Sequence, residues 1–223
     1  MKQYFVKIIS IKHITHDVLQ LVTEKPEEFN FIPGQATHIS INEPDWKVKK
    51  NPFTMTCLPE DDFLEFIIKT YPEHKGVTNE ILKLKEGAEL ILHDVFGSIA
   101  YKGEGVFIAG GAGVTPFISI FRDLQIRNET GKNKLIFANK MKRDIILKNE
   151  FEDTLGRNFV NILSDEQVEE YVHGQITEGF LEEYVNHLTK HVYVCGPPPM
   201  MEAVLKQLSN LGVPEKAIVV ETF

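Results

Sequence analysis

The stretch that most constrains this chain is Gly110-Gly111-Ala112-Gly113-Val114-Thr115-Pro116-Phe117. The apolar run Val106-Phe107-Ile108-Ala109 precedes it and predicts a buried strand. Phe117, Ile118, Ile120, Phe121 and Leu124 follow at helical spacing. A strand, a glycine-rich turn and a helix start are the parts of a phosphate-binding site. Glycines let the backbone approach a ligand, and free N–H groups at a helix N-terminus attract an anion. Pro116 suits a first helical turn, where its missing N–H costs little. The same pattern also describes a tight strand-to-helix connection with no ligand, so the turn needs the context of the whole chain.

From residue 106 onward the pattern alternates. Strands are predicted at 106–109, 135–138, 159–163, 192–195 and 218–221, with helices at 117–126, 145–155, 177–187 and 200–211. That is a doubly wound parallel sheet, whose ligands sit at the carboxyl ends of its strands. The first hundred residues read differently. Segments 4–14, 18–23, 37–41, 52–57, 63–70 and 89–96 are strand-like and separated by turn residues, with one short helix at 77–84. Several antiparallel strands with a single helix suggest a small β-barrel. The link Tyr101-Lys102-Gly103-Glu104-Gly105 marks the boundary, giving expected domains at 1–101 and 102–223.

Composition removes several classes of function. A chain of 223 residues, 43% of them hydrophobic, can bury one large core or two small ones. Its net charge of −8 gives no general reason to bind nucleic acid or an anionic membrane. Two distant cysteines, Cys57 and Cys195, make no disulfide framework and cannot hold an iron–sulfur cluster, which takes about four thiolates. No apolar run is long enough to span a bilayer, and the residues after Met1 lack the apolar core of a signal peptide, so a cytoplasmic location is expected. The eight histidines show no metal-ligand spacing, and no nucleophile elbow appears.

Three further segments bear on chemistry. Asn51-Pro52-Phe53-Thr54 falls on a barrel strand, where Phe53 offers a flat apolar face and Thr54 a hydroxyl. A flavin ring needs both, although an ordinary strand carries the same residues. Gly76-Val77-Thr78 opens the helix of the first half; it is either a plain N-cap or a set of free N–H groups for a pyrophosphate. Val194-Cys195-Gly196-Pro197 ends a strand, where Cys195 is either a small buried hydrophobe or a residue delivered to the ligand crevice.

Together these residues resemble the ferredoxin–NADP reductase superfamily, in the right order and over essentially the whole chain, down to the ending Glu221-Thr222-Phe223. The resemblance is to its small bacterial flavodoxin or ferredoxin reductases. It implies an antiparallel β-barrel flavin domain followed by a doubly wound nucleotide domain. It also implies an FAD-dependent NAD(P)H oxidoreductase that passes electrons to a ferredoxin or flavodoxin-like carrier. Reduction of free flavin or small acceptors is the nearest alternative, and a non-catalytic electron-transfer or regulatory subunit is another.

The resemblance also assigns residues. Phe53 would pack on the isoalloxazine and Thr54 would hydrogen-bond near its hydride-accepting nitrogen. Asn51 stands where the family has the arginine that neutralises the FAD pyrophosphate, so Lys50 or Lys69 would have to substitute. Lys69 and Tyr71 would contact the FAD phosphates and adenosine ribose, and Gly76, Val77 and Thr78 would complete the cradle. Gly111, Gly113, Val114 and Thr115 would contact the nicotinamide nucleotide, with Cys195, Gly196 and Pro197 beside its ring. Glu221 would serve the transition state or a proton path, and Phe223 would shield the flavin. Asn139-Lys140-Met141-Lys142-Arg143 brings cations and no acidic residue to the end of the second parallel strand, which suits NADPH over NADH; a solvated basic loop would read the same. Lys47, Lys49 and Lys50 lie next to the flavin motif and could dock an acidic carrier protein.

Overall fold

The computed structural model describes residues 2–71, 73 and 75–221; the expectation for Phe223 therefore lies outside the described residues. The first unit is a six-stranded antiparallel sheet of β1 (Tyr4–His13), β2 (Val18–Glu24), β3 (Ala36–Ile41), β4 (Asn51–Thr54), β5 (Phe63–Lys69) and β6 (Glu89–Phe96). Its spatial order is β4-β3-β6-β1-β2-β5. The two outer strands meet where Met55 bridges Phe66 and the Thr56 N–H donates to the Glu65 carbonyl at 2.8 Å, which curls the sheet into a barrel. Residues of period two, such as Val6 and Ile8, Leu19 and Leu21, and Leu90 and Leu92, fill its interior. The short helix α1 (Val77–Ile81) buries Val77 and Ile81 against the same core.

The second unit is a parallel sheet of β7 (Val106–Gly110), β8 (Lys134–Asn139), β9 (Phe159–Leu163), β10 (Val172–His173), β11 (Val192–Cys195) and β12 (Ile218–Val220), in the order β10-β9-β8-β7-β11-β12. Its helices are α2 (Thr115–Ile126), α3 (Lys148–Leu155), α4 (Glu178–Leu181) and α5 (Pro198–Asn210). The chain winds outward from β7 through β8 and β9, then returns to place β11 on the other side of β7. The strand order thus reverses between β7 and β11, the switch point at which such sheets open a ligand crevice.

Some boundaries differ from the sequence pattern for physical reasons. β4 stops at Thr54, short of 57, because Met55 and Thr56 leave β3 and pair with β5. α4 has one turn where residues 177–187 predicted three. Thr177 caps it by accepting the Phe180 N–H at 3.2 Å, and beyond Leu181 the chain continues in turns. β10 is a two-residue edge strand with exposed side chains, too short to leave a periodic signal.

α2 ties the units together. Residues 115–121 are all buried because the helix lies between the parallel sheet and the barrel. Phe107, Phe117, Ile120 and Phe121 share one apolar cluster with Val18, Ile67 and Ile99 of the barrel side. The connecting link is pinned as well: Tyr193, stacked 4.1 Å from Phe107, accepts from the Lys102 N–H and donates to the Gly103 carbonyl, both at 2.8 Å.

Candidate flavin and nucleotide site

A cleft of about 1180 Å³ opens at the switch point. One wall is the carboxyl end of the parallel sheet, with Gly110–Gly113 after β7, Asn139–Met141 after β8 and Cys195–Met200 after β11. The facing wall comes from the barrel: His16 and Asp17 from the β1–β2 turn, and Lys69, Thr70 and Tyr71 from the end of β5.

Gly111–Val114 form a 3-10 turn that runs directly into α2, with Pro116 in the first turn as its missing donor allows. No side chain caps the 3-10 turn, so its leading N–H groups have no intrahelical partner, and Gly111, Ala112 and Gly113 line the cleft. The Thr115 hydroxyl is not part of that donor set, because it donates back to the Ala112 carbonyl at 3.0 Å. Val114 is fully buried and supports the turn from behind. The start of α5 differs in kind. Pro197, Pro198 and Pro199 carry no N–H, so this helix end lacks the first donors that a helix start usually offers an anion.

At the end of β8, Asn139 is buried and lines the cleft, yet its Nδ2 has no partner among the described residues. A buried donor left unpaired is costly unless a ligand completes it. Beyond it, Lys140 is exposed and makes no ion pair among the described residues. Lys142 is taken by Glu170 at 2.9 Å, and Arg143 lies 4.0 Å from Asp144. Asp144 itself turns inward to accept the Met141 N–H at 2.9 Å. Lys140 and Arg143 are therefore the cations this wall presents, with Asp165 as an acidic neighbour on the same wall, its N–H donating to the Lys140 carbonyl at 3.0 Å.

On the barrel, Phe53 is half-buried and packs against the barrel core, while Asn51 and Thr54 are part-exposed and their side chains make no hydrogen bond among the described residues. The start of α1 likewise has no side-chain cap, and Gly76 has open space where a Cβ would point. These uncommitted groups fit a flavin nucleotide lying along β4 and α1. Lys69 is committed: its Nζ pairs with Asp17 at 2.9 Å, and although burial alone would raise the Asp17 pKa, Lys69 holds it below the ordinary value. Of the two lysines that could replace the absent arginine, Lys50 is the one that pairs with no carboxylate among the described residues.

Cys195 sits at the carboxyl end of β11 on the cleft wall, and Glu221 follows β12, the neighbouring strand. Glu221 crosses to the barrel, where its Oε1 accepts the Ser98 N–H at 3.1 Å. Burial, reinforced by the Glu221 carboxylate, pushes the Cys195 thiol up to about 12. The side chain is a neutral thiol at physiological pH and not an activated nucleophile. Alkylation of Cys195 at pH 8 is expected to run at least ~100-fold slower than for a free thiol, rising with pH up to about 12. Because the folded value is raised, the associated stability is full below the unfolded thiol's value of about 8.5 and is lost as pH climbs toward about 12. Rapid labelling at pH 8 would contradict this placement.

Sequence reasoning missed the β1–β2 turn, where His16 lies 3.7 Å from Asp144 and 3.8 Å from Asp17. Among the described residues, no cluster of three His, Cys, Asp or Glu could hold a metal, and no helix is long and apolar enough to cross a membrane.

Comparison with known proteins agrees with this geometry. An FAD-binding domain model matches residues 3–116 and an oxidoreductase NAD-binding domain model matches 107–206. The chain is 29% identical over 239 residues to the propane 2-monooxygenase reductase component of Mycolicibacterium goodii, covering 97% of this chain and 66% of that one. It is 28% identical over 219 residues to NADH-cytochrome b5 reductase 2 of Mycosarcoma maydis, covering 87% and 61%. It thus spans just under two thirds of the length of these curated relatives. Among solved structures, the fold is similar to a ferredoxin NADP+ reductase from Neisseria gonorrhoeae with bound FAD and NADP, with a TM-score of 0.86, 18% identity and coverage of 99% and 98%. A cleft built on a parallel-sheet switch point and faced by the barrel, together with a family match over more than half of the chain, leads to one assignment: the chain belongs to the ferredoxin–NADP reductase-like superfamily of FAD- and NAD(P)H-binding oxidoreductases.

Proposed function

We propose that this chain takes hydride from NADPH, in preference to NADH, and delivers the electrons to an acidic flavodoxin- or ferredoxin-like protein in the cytoplasm. FAD, when bound, supplies the chemistry that converts a two-electron donor into one-electron steps. In this reading residues 1–101 hold FAD, through Asn51, Pro52, Phe53 and Thr54 for the ring and Gly76, Val77 and Thr78 for the pyrophosphate. Tyr71 reaches the adenosine end, and Lys69, locked to Asp17, orients the cleft wall rather than neutralising phosphate. Residues 102–223 hold the nicotinamide nucleotide, through the 111–115 turn, Asn139, and Cys195, Gly196 and Pro197. Thr54, Cys195 and Glu221 stand closest to the reacting atoms.

The observation that carries the proposal is a cleft walled by both units. Among the described residues it holds an unpaired buried donor at Asn139, an unpaired cation at Lys140, and Arg143, which lies 4.0 Å from Asp144. The cation pair favours a 2′-phosphate, whereas the name of one relative, an NADH-cytochrome b5 reductase, keeps NADH as the rival donor. The direct test is spectroscopic. The purified protein, loaded with FAD, should be bleached anaerobically, and faster by NADPH than by NADH. A chain that cannot be loaded with FAD, or that neither nucleotide reduces, overturns the reading.

A second measurement bears on the acceptor. The overall charge is acidic, so a local basic face is needed to steer an acidic partner. The loop before β4 provides one. Lys49 Nζ sits 4.0 Å over the Trp46 ring, and Lys47 and Lys50 are exposed. Reversing Lys47 and Lys49 to glutamate should slow reduction of an acidic flavodoxin about tenfold at low salt, leave ferricyanide reduction unchanged, and flatten the salt dependence. No change with flavodoxin would favour the alternative in which the acceptor is free flavin or another small molecule.

A further inference from the structure

One half-buried side chain joins the segment just past the strand that would carry the flavin to the helix that starts at the nucleotide turn. Arg122 lies on α2, two turns beyond Thr115, and reaches out of its own unit. Its Nη1 donates to the Thr56 carbonyl at 2.8 Å and to Glu65 Oε1 at 2.6 Å, both in the barrel. Its Nε and Nη2 form a bidentate pair with Glu150 of α3 at 2.6 and 2.9 Å. Glu65 is only 6% exposed and is held by further partners: the Thr56 hydroxyl donates to its Oε1 at 2.8 Å, and Gln20 Nε2 donates to its Oε2. One turn earlier on α2, the Ser119 hydroxyl accepts the Gly34 N–H at 3.0 Å. A planar, five-donor group is the side chain that can serve three acceptors on two units at once.

The location gives the contact its meaning. Thr56 is two residues past Thr54, and Glu65 lies on β5, whose far end delivers Lys69 to the cleft. Arg122 is on the rigid element whose first turn follows Gly111–Val114. Apolar packing between the units is non-directional and tolerates sliding. Here the bidentate pair with Glu150 fixes the guanidinium on its own unit, and the two directional Nη1 bonds to Thr56 and Glu65 then set its distance to the barrel.

We propose that Arg122 is a positioning residue that sets the spacing between the flavin strand and the nucleotide turn, and so the distance over which hydride moves. The inference rests on the hydride-transfer reading above, since only then does that spacing govern a rate. Arg122 does not line the cleft; it acts through Thr56, Glu65 and α2. Small errors in such a spacing cost rate steeply, while each nucleotide still binds its own unit.

The test uses Arg122→Met, Arg122→Lys and the double variant Arg122→Met/Glu65→Gln. Arg127→Met, which alters an exposed ion pair with Asp123 at the end of the same helix, serves as control. Single-turnover anaerobic reduction by NADPH should fall about 30- to 100-fold in Arg122→Met and less in Arg122→Lys. FAD content and the nucleotide concentration for half-maximal rate should stay within about threefold of the parent. Calorimetry of the cofactor-stripped protein supplies the readout independent of turnover. The parent should unfold in one transition and Arg122→Met in two, as the units uncouple.

Arg122→Met leaves Glu65 buried and unpaired, which by itself destabilises. The double variant removes that charge; it should regain stability and keep the slow rate, whereas a purely structural role would restore both. If Arg122→Met does not fold, the double variant carries the test alone. Parental reduction rates in the double variant, or a single unfolding transition in it, overturn the proposal. A parent protein that no nucleotide reduces overturns the functional reading instead, and calorimetry then still judges the clamp.

Discussion

Gly113→Ala is expected to disable the nucleotide site through the fold itself. A Cβ on Gly113 would lie 2.5 Å from the Cys195 carbonyl carbon and 2.6 Å from Gly196 Cα, both backbone atoms that cannot swing aside. The turn after β7 and the loop after β11 would have to separate at the switch point where the cleft opens. Overpacking of this kind costs about 1–3 kcal/mol, and a rigid backbone obstacle puts it at the upper end. A drop of several degrees in Tm and at least a tenfold rise in the nucleotide concentration for half-maximal reduction should follow together. Gly111→Ala separates the two effects. Gly111 has φ +50°, and nothing lies within 4 Å of its would-be Cβ. Alanine there costs about 1 kcal/mol of left-handed strain, yet its methyl enters the space a nucleotide would use. Binding should weaken more than stability does. Equal losses of stability in the two variants, or normal nucleotide binding in Gly113→Ala, would show that the close approach of these two loops is not what forms the site.

That contrast also shows what the sequence could and could not say. The run Val106-Phe107-Ile108-Ala109 followed by glycines was legible as strand, turn and helix because each part is a local signal. Which glycine faces a ligand and which faces another loop was not legible, because Cys195 and Gly196 arrive some eighty residues later in the chain. The barrel was visible in the period-two residues of β1, β2 and β6, but its closure depends on Met55 leaving β3 for Phe66, a long-range choice with no local marker. α4 shortened and β10 appeared because tertiary context, not periodicity, decides such short elements. Arg122 and Glu65 did leave a trace. Glu65 interrupts the apolar run Phe63-Leu64-Glu65-Phe66-Ile67-Ile68, and a charge at a buried strand position requires a partner. The run could announce the need for a cation without saying that α2 would provide it.

The other large effect concerns the one position where the chain departs from the pattern it resembles. Asn51→Arg is expected to tighten FAD binding by about 10- to 100-fold. Asn51, the first residue of β4, pairs with Ile39 of β3, is part-exposed, and has no side-chain hydrogen bond among the described residues, so its replacement breaks nothing that can be seen. An arginine adds a planar cation able to grip a pyrophosphate with two N–H groups, and hydrogen bonds to charged groups contribute about 1.5–3 kcal/mol. Local compensation in the parent is weak. Lys69 is held by Asp17 at 2.9 Å, and Lys50 is exposed, where its charge is largely screened. The parent should therefore lose FAD on gel filtration at moderate salt, and the variant should retain it. Asn51→Lys supplies the same charge without the fork and should recover only part of the gain. Titration of the stripped proteins by flavin fluorescence gives all three affinities. If arginine leaves the FAD affinity unchanged while lysine at the same position also does nothing, then residue 51 does not face the pyrophosphate. The flavin would have to lie elsewhere than along β4, and the roles proposed for Phe53 and Thr54 would fall with it.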